Sequence, residues 1–162
     1  MCETADCWDV LGNKIQDWID SAAVPPGLAS TMEGYCEVAK IIRRTLPPSY
    51  ERHVALRKLL DSQNWAGRIL TCNSVSERHK QDMDSLALHM SVPRVPKSVL
   101  GIFARYWSLF TDMTISHDFD GTFEHVQAAR LLLESRDAAV RACLEMLAEQ
   151  QKQELRVVSQ ST

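Results

Sequence analysis

The sequence has no apolar run approaching the roughly 18 residues that cross a membrane, so no transmembrane helix is expected. It also lacks a surplus of positive charge, with 18 Lys and Arg against 21 Asp and Glu and a formal net charge of −3. A generic basic surface for long nucleic acids is therefore not indicated, and any anion site has to be local, built from a few arginines. The five cysteines, Cys2, Cys7, Cys36, Cys72 and Cys143, are odd in number and show no CxxC spacing. Reduced thiols in a cytosolic protein are the preferred reading, over a metal held by Cys2, Cys7 and a distant histidine. The opening stretch "MCETADCWDV" is acidic and lacks the basic and apolar regions of a secretory leader, which also points to the cytoplasm.

Catalytic signatures are missing too. No GxSxG, P-loop, HExxH or GxGxxG occurs. The His117 and Asp118 pair in "ISHDFDG" is of the type used by metal phosphohydrolases. Such sites need further histidines and an aspartate on neighbouring helices, and His79, His89 and His125 lack that spacing. "DFDG" also falls short of an EF-hand loop, which needs ligands at alternating positions and a glutamate at position 12. The expectation is a protein that is not an enzyme, with no catalytic residue, no metal ligand set and no cofactor.

What is present is helical periodicity and 45% hydrophobic residues, enough for a core in 162 residues. From about Asp6 to Ser21, Trp8, Leu11, Ile15, Trp18 and Ile19 line one apolar face before "AAVPPG" breaks the run. Leu28, Met32, Tyr35, Ala39, Ile42 and Leu46 then recur at steps of 4, 3, 4, 3 and 4, a heptad-like stripe packed along its length. Pro47 and Pro48 stop that helix, because neither can donate a backbone N–H. Ser49 restarts one as its N-cap, with Glu51 in the first turn, and this helix is expected to reach about Thr71. A polar helix near Ser76 to Met90 and the connector "SVPRVPKS" follow.

Beyond the connector the pattern repeats. Val99, Phe103, Tyr106, Phe110 and Met113 follow the first stripe at a constant offset of 71. After the turn the offset becomes 73, and "SYERHVALRKLLDSQNWAGR" sets against "TFEHVQAARLLLESRDAAVR". Glu51, Ala55, Arg57, Leu59, Leu60, Ser62, Ala66 and Arg68 are identical to Glu124, Ala128, Arg130, Leu132, Leu133, Ser135, Ala139 and Arg141. The two extra residues fall in a hairpin tip, where "TLPPS" gives way to "SHDFDGT" and insertions are tolerated. The fold expected is all-α: two tandem helical hairpins, each with a preceding helix, as units 1–91 and 92–162.

Chemistry concentrates at the hairpin start. Ser49, the free N–H groups of the first turn, and Arg57 with its counterpart Arg130 form a local anion site on one reading. Tyr50 and Phe123, just past the caps, are placed to lie on a nucleobase. On the other reading the arginines are solvated or paired with acids and the aromatics staple the hairpins. Tyr35 and Tyr106 carry the same alternatives, core residues on the stripe or rings stacked on a ligand at a subunit boundary.

The stretch "LPPSYERHVALRKLLDSQNWA" resembles a signature of phage cyclic-nucleotide sponges, the anti-CBASS and Thoeris anti-defence proteins that share an Acb/Tad helical hairpin. The residues carrying the resemblance are Leu46, Pro47, Pro48, Ser49, Glu51, Arg52, Ala55, Leu56, Lys58, Leu59, Trp65 and Ala66. It implies an all-helical, symmetric assembly in the cytoplasm of an infected host. Such an assembly would sequester cyclic di- or trinucleotides, or ADP-ribose derivatives, without degrading them. It also implies Ser49 and Arg52 as ligand contacts. Tyr50, Arg57 and Leu60 depart from the pattern where it has an arginine, a threonine and an acid, and His125 stands in the second copy where Arg52 stands in the first. If single-hairpin relatives form hexamers, a two-hairpin chain is expected as a homotrimer of pseudo-sixfold shape, or as a hexamer. The rival reading is a helical adaptor that binds another protein through its apolar stripe.

Overall fold

The computed structural model describes residues 4–69, 76–91, 95–115 and 122–161. Among them are six α-helices and no strand: α1 (Ala5–Asp20), α2 (Ala29–Thr45), α3 (Tyr50–Ala66), α4 (Glu77–Met90), α5 (Leu100–Ile115) and α6 (Phe123–Gln160). A 3-10 turn at Lys97–Val99 leads into α5. The all-α class is therefore as expected. No described helix is long and apolar enough to cross a membrane.

Helix boundaries follow capping chemistry. Ser49, Ser76 and Thr122 each accept a bond from the backbone N–H three residues on, at 3.1, 3.1 and 3.2 Å. α2 stops one residue before Leu46, which is extended because a proline follows. α3 ends at Ala66 rather than near Thr71. Gly67 closes it through a bond to the Gln63 carbonyl, and the residues from 70 to 75 lie outside the described ones. α6 runs well past the part that matches α3, a length the periodicity of 122–141 does not announce.

Packing centres on α3 against α6, the most extensive contact in the fold. Ala55, Leu59, Ser62 and Ala66 on α3, and Ala128, Leu132, Ser135 and Ala139 on α6, are fully buried at steps of 4, 3 and 4. Small residues on both sides let the backbones approach closely. The approach is close enough for Ser62 Oγ to donate to the Ala128 carbonyl and Ser135 Oγ to the Ala55 carbonyl, both at 2.6 Å. These two bonds are reciprocal at the 73-residue offset and run between antiparallel helices. A second layer, α2 on α5, covers the seam, and α1 and α4 lie against α3 and α6. At the α2–α5 crossing Gly34 faces Leu109, whose Cδ1 would lie 2.9 Å from an added Cβ. The buried apolar residues of all six helices form one cluster.

Thiol states vary among the described cysteines. Cys36 and Cys143 are free, and burial raises both thiols to about 11. Cys7 is disulfide-bonded, which departs from the expectation that every thiol is reduced.

Candidate functional site

The corner between α2 and α3 holds most of the residues the sequence singles out, and it separates them by role. Ser49 spends its hydroxyl on the cap, accepting from the Arg52 N–H. Arg52 is only 3% exposed. Its guanidinium donates to the Leu46 carbonyl at 3.1 Å and to Asp9 Oδ1 at 2.9 Å, tying the end of α2 and the start of α1 to α3. That is the work of a structural arginine, with its charge spent inside the fold. Asp9 also faces Arg43 at 3.9 Å, and Arg43 bonds Asn13.

Tyr50 points outward and is 61% exposed. Its ring meets Trp8 edge-on at 5.7 Å, and Trp8 also lies 5.3 Å from the His53 ring. Burial, with the Arg57 guanidinium adding to it, holds the His53 imidazole below its ordinary range. Arg57 is exposed and within 3.8 Å of Asp61, one turn on. Such a surface pair holds its arginine weakly. Tyr50 and Arg57 are seven residues apart, hence on one face of α3 and roughly 10 Å apart along its axis.

A cleft of about 410 Å³ opens beside this corner, between Pro47, Pro48 and Ser49 and the α6 residues Ala142, Glu145, Met146, Glu149 and Gln153. Its mixed walls offer hydroxyl, amide and carboxylate groups over an apolar floor. The carboxylates suit amino or hydroxyl donors rather than a phosphate. A larger cleft of about 530 Å³ lies at the other end of α3, where Trp18, Met32, Gln63, Asn64 and Arg68 meet the α1–α2 connection.

Tyr35 and Tyr106 take the core role of their two alternatives. Both are fully buried, with hydroxyls on Ser62 at 2.7 Å and on Ser135 at 2.6 Å. Each serine gives its single proton to a carbonyl across the seam, so each tyrosine donates. Burial pushes both phenols well above their ordinary range, and neither ring is open to a ligand. Arg130 is exposed on α6 at the position matching Arg57, distant in sequence from the α2–α3 corner. The structure thus sets Ser49 and Tyr50 at the head of α3 with Arg52 turned inward beneath them and Arg57 exposed two turns on, and places Tyr35, Tyr106 and Arg130 elsewhere.

Several relationships were not drawn from the sequence. Gln63 donates to the Ile19 carbonyl at the end of α1. Its counterpart, Arg136, donates to the His89 and Met90 carbonyls at the end of α4, at 2.7 and 2.9 Å. Trp8 packs on Tyr50 as His79 packs on Phe123. The signal was available, since Ile19 and Met90, and Trp8 and His79, are related by the same offset of 71. The pair His117 and Asp118 lies outside the described residues, and among those described no cluster of three or more His, Cys, Asp or Glu is placed to hold a metal. The chain matches no family model, no curated protein and no solved structure.

Proposed function

We propose that this protein binds a nucleotide immune second messenger, a cyclic di- or trinucleotide, and withholds it intact, suppressing antiphage signalling. The observation that carries the reading is the head of α3. There an exposed Tyr50 ring, edge-on to Trp8, shares one face with the exposed Arg57 two turns along, a pairing of aromatic surface and positive charge suited to a base and a phosphate. A base stacks on Tyr50 and a phosphate reaches Arg57. Arg52 supports the corner from within. Its part in the function is to hold Ser49 and Tyr50 in place rather than to meet the ligand.

The same reading treats the chain as an internal duplication, two tandem hairpins each led by a helix, within a homotrimer of pseudo-sixfold shape or a hexamer. The reciprocal serine bonds and the matched roles of Gln63 and Arg136 support the duplication. His125, buried where the first copy has Arg52, makes the second corner the different one.

The test is incubation with a panel of cyclic dinucleotides, cyclic trinucleotides and ADP-ribose derivatives, followed by removal of protein. One ligand is expected to leave solution, to return chemically intact after heating, and to raise the melting temperature by several degrees. Every ligand remaining free would refute the reading, and return of a cleaved product would replace it with an enzyme. A helical adaptor is the second reading, favoured by the exposed apolar residues of α6, and it predicts no thermal shift with any of the panel.

A further inference from the structure

From Ala148 to Gln160 every residue of α6 is exposed, and only the side toward Pro47 and Pro48 borders the rest of the chain, across an open cleft. Ala142, Met146, Glu149 and Gln153 face the Pro47–Pro48 corner of their own chain. On the other side Leu144, Ala148, Gln151, Leu155 and Val158 recur at steps of 4, 3, 4 and 3. That is a coiled-coil seam with its partner missing. Leu144, Leu155 and Val158 are 51%, 70% and 62% exposed. A helical end without packing is marginal in water, so such a stripe is suited to a second helix.

We propose that the second helix is the same segment of another copy, running antiparallel. In that direction Leu144 stands opposite Leu155 of the other copy, and Ala148 opposite Gln151, so large and small residues alternate across the seam. The flanking charges set the direction. Glu145 and Lys152 lie on one side of the stripe, seven residues apart. Antiparallel pairing brings each Glu145 beside the other copy's Lys152, twice by symmetry, whereas parallel pairing sets Leu147 against Lys152 and joins no opposite charges. Lys152 already bonds Glu149 within its own helix at 2.7 Å with both groups exposed, a pairing it can share or exchange at little cost. The buried Gln151 amides at the centre fix the register. Such a contact is isologous and adds copies in pairs, joining two chains, or two rings if a ring forms through other surfaces.

The test is the mass of the full chain by light scattering across a range of concentrations, independent of any nucleotide. The wild type is expected to be even-numbered. The double substitution Leu144→Glu with Leu155→Glu, which sets glutamates opposite each other, is expected to halve that mass without changing helicity, since both residues are exposed. Glu145→Lys is expected to weaken association by about tenfold, and adding Lys152→Glu is expected to restore it. A wild type that stays monomeric or odd-numbered at the highest concentration would overturn the proposal, as would an unchanged mass in the double variant. Failure of the charge exchange to restore association would also overturn it.

Discussion

Ser62 and Ser135 each serve two partners, accepting from a buried tyrosine and donating to a carbonyl across the seam. Replacing either by alanine removes the phenol's hydroxyl acceptor and the cross-seam bond to a helical carbonyl, leaving Tyr35 only the Met113 sulfur at 3.7 Å, at a cost of about 1–3 kcal/mol. Tyr35→Phe leaves the serine bond to the carbonyl in place and should cost less. Urea denaturation is expected to rank Ser62→Ala below Tyr35→Phe in stability, and the reverse order would discredit the relay. His53 supplies a pH-dependent term. Its folded pKa is depressed, so below its ordinary value near 6.5 the unfolded chain binds more protons than the folded one. The stability it contributes is present above that pH and lost as pH falls through it. A His53→Gln variant should show a shallower loss of stability between about pH 7 and 5 than the wild type, with equal slopes counting against the assignment.

Among the elements, α3 and α6 set the geometry of everything else. Their seam was readable as apolar phase, and the identical alanines and serines of 55–66 and 128–139 marked the two helices as alike. What could not be read were the partners of the charged side chains. Arg52 and Arg57 lie five residues apart on one helix, yet one turns into the fold to meet Asp9 and the other faces water. Helical phase sets Arg52 among the buried Ala55, Leu56 and Leu59 and Arg57 on the far face; what local pattern does not carry is the partner, Asp9 on α1, distant in sequence. Tyr35 and Tyr106 show the same limit, because their serine partners sit 27 and 29 residues away. Close approach of the seam also carries a prediction. Ala55→Leu or Ala128→Leu forces the helices apart and breaks the bonds beside them, so each should lower stability by about 1–3 kcal/mol in a denaturant titration. A substitution tolerated without loss would mean the seam is looser than its serine bonds require.

For the molecule as a whole, one cluster of buried residues draws on both halves of the chain, and the most extensive helix contact, α3 on α6, lies between them. Calorimetry should therefore record a single two-state transition, with equal calorimetric and van't Hoff enthalpies, rather than two steps. The reciprocal serine bonds extend this further. Each half of the chain carries the carbonyl that the other half's serine meets, Ala55 for Ser135 and Ala128 for Ser62. The pieces 1–91 and 92–162 are accordingly expected to be complementary rather than autonomous: separately expressed they should stay largely unfolded, and mixed they should reassemble. In a concentrated solution the same complementarity permits two chains to exchange their second halves, so that a severed or swapped molecule keeps every contact of the seam.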